Sequence, residues 1–200
     1  MKLLFQDEKN NRVYIPDGEK EAPTGDYKFL FKSGNSTITI GSNVKFLACN
    51  FVLNESCEIS IGDNCLIRGK LFADHTNSKI IIGHTTKFNA PCRIHAAEGK
   101  TISIGNQCLF SNVRFRTSDS HSIISLETNT RINHAKDIII EDKVWIAEDV
   151  NIYKGVTIGS GSIVGARATV TKNLPGNALC VGSPAVAVKH QVAWNEKLVK

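Results

Sequence analysis

The sequence predicts an all-β solenoid of three-sided cross-section, a triangular prism of short strands wound coil upon coil. Three observations predict it. Between Ile140 and Pro175 an aliphatic residue returns every six positions, at Ile140, Ile146, Ile152, Ile158, Val164 and Val170. Four residues after each comes a small or aliphatic side chain: Val144, Val150, Val156, Ser162, Ala168 and Leu174. The segments ITIGSN, ISIGDN, IIIGHT, ISIGNQ, IIIEDK and VTIGSG share one signature and carry Ile40, Ile61, Ile82, Ile104, Ile140 and Ile158 as their third residues. A period of six fits neither an amphipathic helix nor a simple alternating strand. It fits a coil of three short faces, each giving one aliphatic residue to a shared interior, and fixed-period self-similarity marks repeat folds.

In chain order, residues 1–35 lack the repeat and carry turn signals at Pro16-Asp17-Gly18 and Thr24-Gly25-Asp26, so they read as an N-terminal cap. Residues 36–175 form the solenoid. Its anchors lie 21, 21, 22, 36 and 18 apart, and 18 is one coil of three hexads. The extra residues fall near Asn54–Ser56, Asp74–Ser78 and Ala96–Gly99, at a similar offset in each coil. They therefore project from one edge of the prism. The longest spacing holds a polar excursion over 122–137, a length that in a compact solenoid marks either function or disorder. Leu174-Pro175-Gly176 closes the solenoid, and residues 176–200 read as a returning strand over Val181–Lys189 and a short C-terminal helix over Val192–Lys200.

Two hundred residues with 42% hydrophobic content suit one soluble domain with a substantial core. No apolar run approaches the ~18 residues that span a bilayer. Met1–Leu30 is polar and does not read as a signal peptide, which leaves the cytoplasm as the expected location. A net charge of +5 without a Lys/Arg run suits an anionic ligand and argues against nucleic acid. Cys65, Cys92 and Cys108 occupy the small-residue slot four places after Ile61, Phe88 and Ile104. They read as buried thiols, and no Cys-x-x-Cys suggests a metal.

The repeat resembles that of the hexapeptide-repeat acyltransferases, a family built on the left-handed parallel β-helix, over about residues 36–190. Thr117-Ser118-Asp119-Ser120-His121, Arg131-Ile132-Asn133, Val144-Trp145-Ile146-Ala147, Val170-Thr171-Lys172-Asn173-Leu174-Pro175 and Gly182-Ser183-Pro184-Ala185 resemble the sugar O-acetyltransferases. The Ser-Asp-Ser-His segment and the tryptophan 24 residues later narrow the resemblance to capsular sialic acid and polysialic acid O-acetyltransferases. The resemblance implies a homotrimer with active sites between neighbouring prisms and acetyl-CoA, the acyl donor, along the groove. It implies His121 as catalytic base and Trp145 as the aromatic beside the acetyl group and acceptor. It puts donor contacts at Ala147, Glu148, Ala166, Thr171, Lys172 and Lys189. Ser183 and Val186 depart from the family's Gly-Asn-Pro-Ala-Lys/Arg run, and Lys189 or Arg167 is the expected substitute phosphate contact.

The chemistry agrees with these residue types. A sugar hydroxyl must lose its proton as it attacks a thioester, and a neutral imidazole is suited to take it. The oxyanion needs a donor, expected among the backbone N–H groups near Trp145–Ala147. His121 ends a coil where the repeat breaks, with His134 as its rival. Asp119 either orients the His121 ring or makes a local turn bond. Arg93, Arg114 and Arg116 come late in their coils and suit a carboxylate on the acceptor. Two other readings remain open: a streptogramin-type antibiotic or other small-molecule hydroxyl as acceptor, and a non-catalytic β-helix scaffold. A zinc hydratase on this solenoid needs three metal-binding histidines with one close pair, and these histidines are poorly spaced for it.

Overall fold

The computed structural model describes residues 1–18 and 23–199. Its strands are, in chain order, β1 (Lys2–Gln6), β2 (Arg12–Ile15), β3 (Thr24–Phe31), β4 (Thr37–Ile40), β5 (Lys45–Leu53), β6 (Glu58–Ile61) and β7 (Leu66–Ala73). There follow β8 (Lys79–Ile82), β9 (Lys87–Phe88), β10 (Cys92–Ala96), β11 (Thr101–Ile104), β12 (Leu109–Phe110), β13 (Arg114–Arg116) and β14 (Ile138–Ile140). The last are β15 (Trp145–Ile146), β16 (Asn151–Tyr153), β17 (Thr157–Ile158), β18 (Ile163–Val164), β19 (Thr169–Val170), β20 (Ala178–Gly182) and β21 (Ala185–His190).

These strands stack as three parallel faces, the expected prism. The first face runs β2-β4-β6-β8-β11-β14-β17, with Ile40, Ile61, Ile82, Ile104, Ile140 and Ile158 aligned rung by rung. The second stacks the leading halves of β5 and β7 on β9, β12, β15, β18 and β20. The third stacks their trailing halves on β10, β13, β16 and β19. Along the three stacked faces the strands from β4 to β19 alternate buried and outward residues, so each face of a coil sends side chains inward. Phe46, Phe51, Phe88, Phe110 and Phe115 fill the N-terminal coils, and Ile146, Ile152, Val164 and Val170 fill the later ones. No single coil buries this column alone, and stacking neighbours does.

β5 and β7 round a corner without breaking. At that corner Gly69 takes φ 106°, and a Cβ there would meet the Cys92 carbonyl oxygen at 2.1 Å, so only glycine fits. All six cysteines are buried and unpaired, as placed by the repeat for three of them. Cys65 Sγ donates to the Gly83 carbonyl at 3.1 Å, and burial pushes the Cys92 and Cys108 thiols up to about 12.

The extra residues do emerge at one edge. The segments between β5 and β6, β7 and β8, β10 and β11, and β13 and β14 all lie where the third face turns into the first.

Two expectations change. The region read as a repeat-free cap already winds: β2 pairs in parallel with β4 and β3 with β5, while β1 folds back antiparallel on β2. The short C-terminal helix is absent over Val192–Val199, and Lys200 lies outside the described residues. Its donors turn elsewhere: Val192 N–H goes to Asn177 O at 3.0 Å and the Trp194 indole N–H to Lys143 O at 2.7 Å. These two contacts anchor the segment on the prism, and such packing overrides local helix propensity.

Candidate functional site

His121 stands at the edge between the third and first faces, where β13 ends and the excursion leaves. Its side chain is exposed. Its backbone is held: Asn133 Nδ2 donates to the His121 carbonyl at 2.8 Å and to Asp119 Oδ2 at 2.8 Å, while Asn133 Oδ1 accepts from Ile123 N–H at 2.8 Å. Asn133 is only 8% exposed, so one amide ties both roots of the excursion. Asp119 is bonded to Lys154 Nζ and Asn133, and the Lys154 contact foremost holds its carboxyl below the usual range. It does not bond the His121 ring. Of the two roles open to it, the local one is observed.

The excursion itself is a small hairpin. Ile124 bridges Arg131 antiparallel, Ser125 N–H donates to Thr130 O, and Leu126 is fully exposed at the tip. Arg131 reaches back to Glu98 with two bonds of 2.7 and 2.9 Å. Ser118 Oγ bonds the same carboxylate. The Arg131 contact first, then Ser118, lower Glu98 to about 2. The projecting turn at Ala96–Gly99 is thus the post to which the excursion is tied.

Trp145 faces outward from β15 on the second face, 38% exposed. That face lies opposite the edge carrying His121, because an edge shared by two sides of a triangle is opposite the third side. A face of about five residues at ~3.3 Å each separates them by more than a side chain reaches. Trp145 packs instead on Trp194, ring centroids 6.2 Å apart. The N–H groups of Trp145 and Ala147 donate to Ser162 O and Val164 O at 2.9 Å, so neither is free for an oxyanion, contrary to expectation.

The expected donor contacts fall into groups. Ala147 and Glu148 follow β15 at the corner joining second and third faces, in register with Gly165 and Ala166 of the next coil, where Arg167 N–H donates to Glu148 O at 2.8 Å. Thr171 and Lys172 are exposed where β19 leaves the third face, and Lys189 lies on β21, opposite Leu179. No one corner of a single chain gathers all of them.

Arg93 and Arg114 are neighbours on the outside of the third face, in one row with Lys70. Arg116 stands in the next row beside His95 and Tyr153 and donates to Ser120 Oγ at 2.8 Å. Lys70, Arg93, Arg114, Arg116 and Tyr153 line a concavity of about 580 Å³. Arg93 lies 4.8 Å over the Phe72 ring. Among the described residues none of Lys70, Arg93 and Arg114 pairs with a carboxylate. His95 is half-buried beside Asp74 at 3.3 Å, and burial pushes it down. His84 sits at a corner against Asp63, and the rival His134 is exposed in the excursion.

Asn133, Glu98, Lys154 and Trp194 had no role from sequence. The Arg131-Ile132-Asn133 run marked where to look for the first, and nothing periodic marked the others.

The family model described as bacterial transferase hexapeptide (six repeats) matches residues 137–172. The polysialic acid O-acetyltransferase of Escherichia coli O1:K1 / APEC is 33% identical over 137 residues, 68% of this chain and 44% of that protein. The polysialic acid O-acetyltransferase of Neisseria meningitidis is 36% identical over 124 residues, 60% of this chain and 57% of that protein. The matched segments thus span about half the length of these curated relatives. Among solved structures, the polySia specific acetyltransferase NeuO superimposes with a TM-score of 0.81 at 28% identity, covering 94% of this chain and 79% of that one.

Proposed function

The chain belongs to the hexapeptide-repeat family of left-handed β-helix transferases, and on that premise we propose that it is an O-acetyltransferase moving acetyl from acetyl-CoA to a sugar hydroxyl. The acceptor we assign is sialic acid within a capsular or surface polysaccharide. The observation that carries this reading is the placement of His121, exposed, with its backbone pinned by Asn133, at the edge opposite Trp145. Two groups on opposite sides of a prism meet only between copies, which is what a trimer of parallel prisms provides.

In that cleft the His121 imidazole takes the proton of the sugar hydroxyl as its oxygen attacks the thioester carbonyl. The tetrahedral oxyanion collapses, the C–S bond breaks, and CoA leaves as the thiol with the proton returned by His121. Trp145 of the next copy walls the acetyl group. The corner of Ala147, Glu148, Ala166 and Arg167 on one copy and Thr171, Lys172 and Lys189 supply the groove for the donor. The unpaired cations Lys70, Arg93 and Arg114 support an acidic acceptor, since a carboxylate gains charge-assisted bonds there.

The test is release of CoA thiol from acetyl-CoA with a panel of sialylated and neutral glycans. The expected result is release with sialylated acceptors, reduced by ~10²–10⁴ in kcat in His121→Ala with CoA binding retained. Wild-type turnover unchanged in His121→Ala would overturn the assignment.

A further inference from the structure

After β21 the chain doubles back along the second face toward the N-terminal coils. Val192 N–H is held by Asn177 O, Trp194 lies at the level of Lys143 and Trp145, and Glu196 reaches Lys87, both carboxylate oxygens 2.8 Å from Nζ. Lys87, Leu109 and Trp145 are successive rungs of one outward row, so this segment covers a strip of a cation, an aliphatic residue and an indole. Beneath it a space of about 300 Å³ remains, lined by Thr85, Lys87, Leu109, Lys143, Trp194 and Glu196.

We propose that residues 191–199 are a strap occupying an acceptor subsite, with Trp194 and Glu196 standing where the ring and acidic group of an anionic sugar bind. The inference rests on the acetyltransferase reading and deepens it. A flat apolar face against Trp145 and a carboxylate against Lys87 are the two features an acidic sugar offers, and the strap presents both. The ring separation of 6.2 Å is a contact distance for an aromatic pair, so no ligand enters between Trp145 and Trp194 without displacing the latter. The strip also runs from Trp145 toward earlier coils, away from Ala166, Thr171, Lys172 and Lys189, and so on the acceptor side of the reacting centre. The Lys87–Glu196 contact is solvent-exposed, 35% and 53%, which makes the strap weakly held and displaceable.

The chain's two tryptophans are this pair, so indole emission reports the strap directly. The experiment titrates the protein with a sialic acid oligosaccharide in the absence of acetyl-CoA, beside a neutral galactoside. The oligosaccharide is expected to shift the emission as Trp194 leaves Trp145. Glu196→Gln and a chain ending at His190 should bind it several-fold more tightly than wild type, Lys87→Met about tenfold more weakly, and the galactoside should distinguish none of them. Trp194→Phe, with Trp145 as sole emitter, keeps the titration readable. Equal oligosaccharide affinity in wild type, Glu196→Gln and the shortened chain overturns the strap, as does an equal gain for the galactoside. Because no acetyl donor is present, a strap that competes in a protein without transfer activity would refute the transferase reading alone.

Discussion

The side-chain amide of Asn133 donates to the backbone carbonyl of His121 at 2.8 Å, across the root of the excursion. The same nitrogen bonds Asp119, and the same side chain's oxygen accepts from Ile123. A residue twelve positions later in the chain thus fixes where the imidazole starts from. Asn133→Ala removes its side-chain bonds to His121, Asp119, Ile123 and Arg131, each worth about 0.5–1.5 kcal/mol at this partly exposed site. The expected kinetic result is a loss of about tenfold or more in kcat with donor and acceptor KM nearly unchanged, since the ring keeps its chemistry and loses its position. Asn133→Asp should be no better, because a carboxylate donates to neither His121 nor Asp119. Steady-state kinetics of both variants check this.

If His121 and Trp145 act from different copies, two dead variants should rescue each other. Mixing His121→Ala with Trp145→Ala after unfolding and joint refolding, or by co-expression, creates clefts with His121 from one copy and Trp145 from the next. Random assembly of a cyclic trimer makes about a quarter of the clefts intact. Recovery of about that share of wild-type turnover is expected, and none if both residues serve from one chain.

Glu98 carries the acid sensitivity of the excursion. Its carboxyl is held at about 2 by Arg131 and Ser118, below the ordinary value of 4.5. A carboxylate with a depressed folded-state value contributes its full stabilisation above the unfolded value and loses it as pH falls through the folded one. The tie between Glu98 and Arg131 therefore holds above about 4.5 and weakens toward about 2. Protection factors of the amides over Ile123–Ile132, each rate referred to its intrinsic value at the same pH, should fall as pH drops through that window in wild type. In Glu98→Gln they should be lower already at neutral pH and flat through the window.

The row of Lys70, Arg93 and Arg114 should act on acidic acceptors alone. Arg93→Ala and Arg114→Ala are each expected to raise KM for a sialylated acceptor several-fold, with kcat and the KM of a neutral acceptor unmoved. Rising salt should mimic the substitutions, since exposed charges are screened. Initial rates at low and high ionic strength decide it. Arg93 also covers the Phe72 ring, so Arg93→Lys restores charge without the same stacking and should recover only part of the effect.

What sequence alone made legible follows from the period. Ile40 to Ile158 declare one column of the core because every coil repeats the same burial. The single projecting edge was readable from where Asn54, Asp74, Ala96 and Ser122 interrupt that count. The first coil escaped because β3, Thr24–Phe31, carries no Ile-x-Ile-Gly signature, its place secured by long-range pairing with β5. Residues His121 and Trp145 were readable from motif. Their separation by the width of the prism was not, since it depends on which face each coil position meets. Trp194 was invisible for a different reason: its contact with Trp145 joins an aperiodic tail to a periodic body. The tail read as a short helix, and the contacts with Asn177 and Lys143 hold it on the prism instead.

The edge from which the four projecting segments leave has a consequence for how such a chain can change. The corner between the first and second faces stacks backbone on backbone, as Gly62 illustrates, where a Cβ would meet the His84 nitrogen at 2.8 Å. The corner between the second and third faces admits only small bulges, as at Ala48 between Leu47 and Cys49. The third accepts insertions of unequal length while the isoleucine ladder on either side keeps its alignment. Long new recognition surface is therefore most readily grown along the line where His121 already stands.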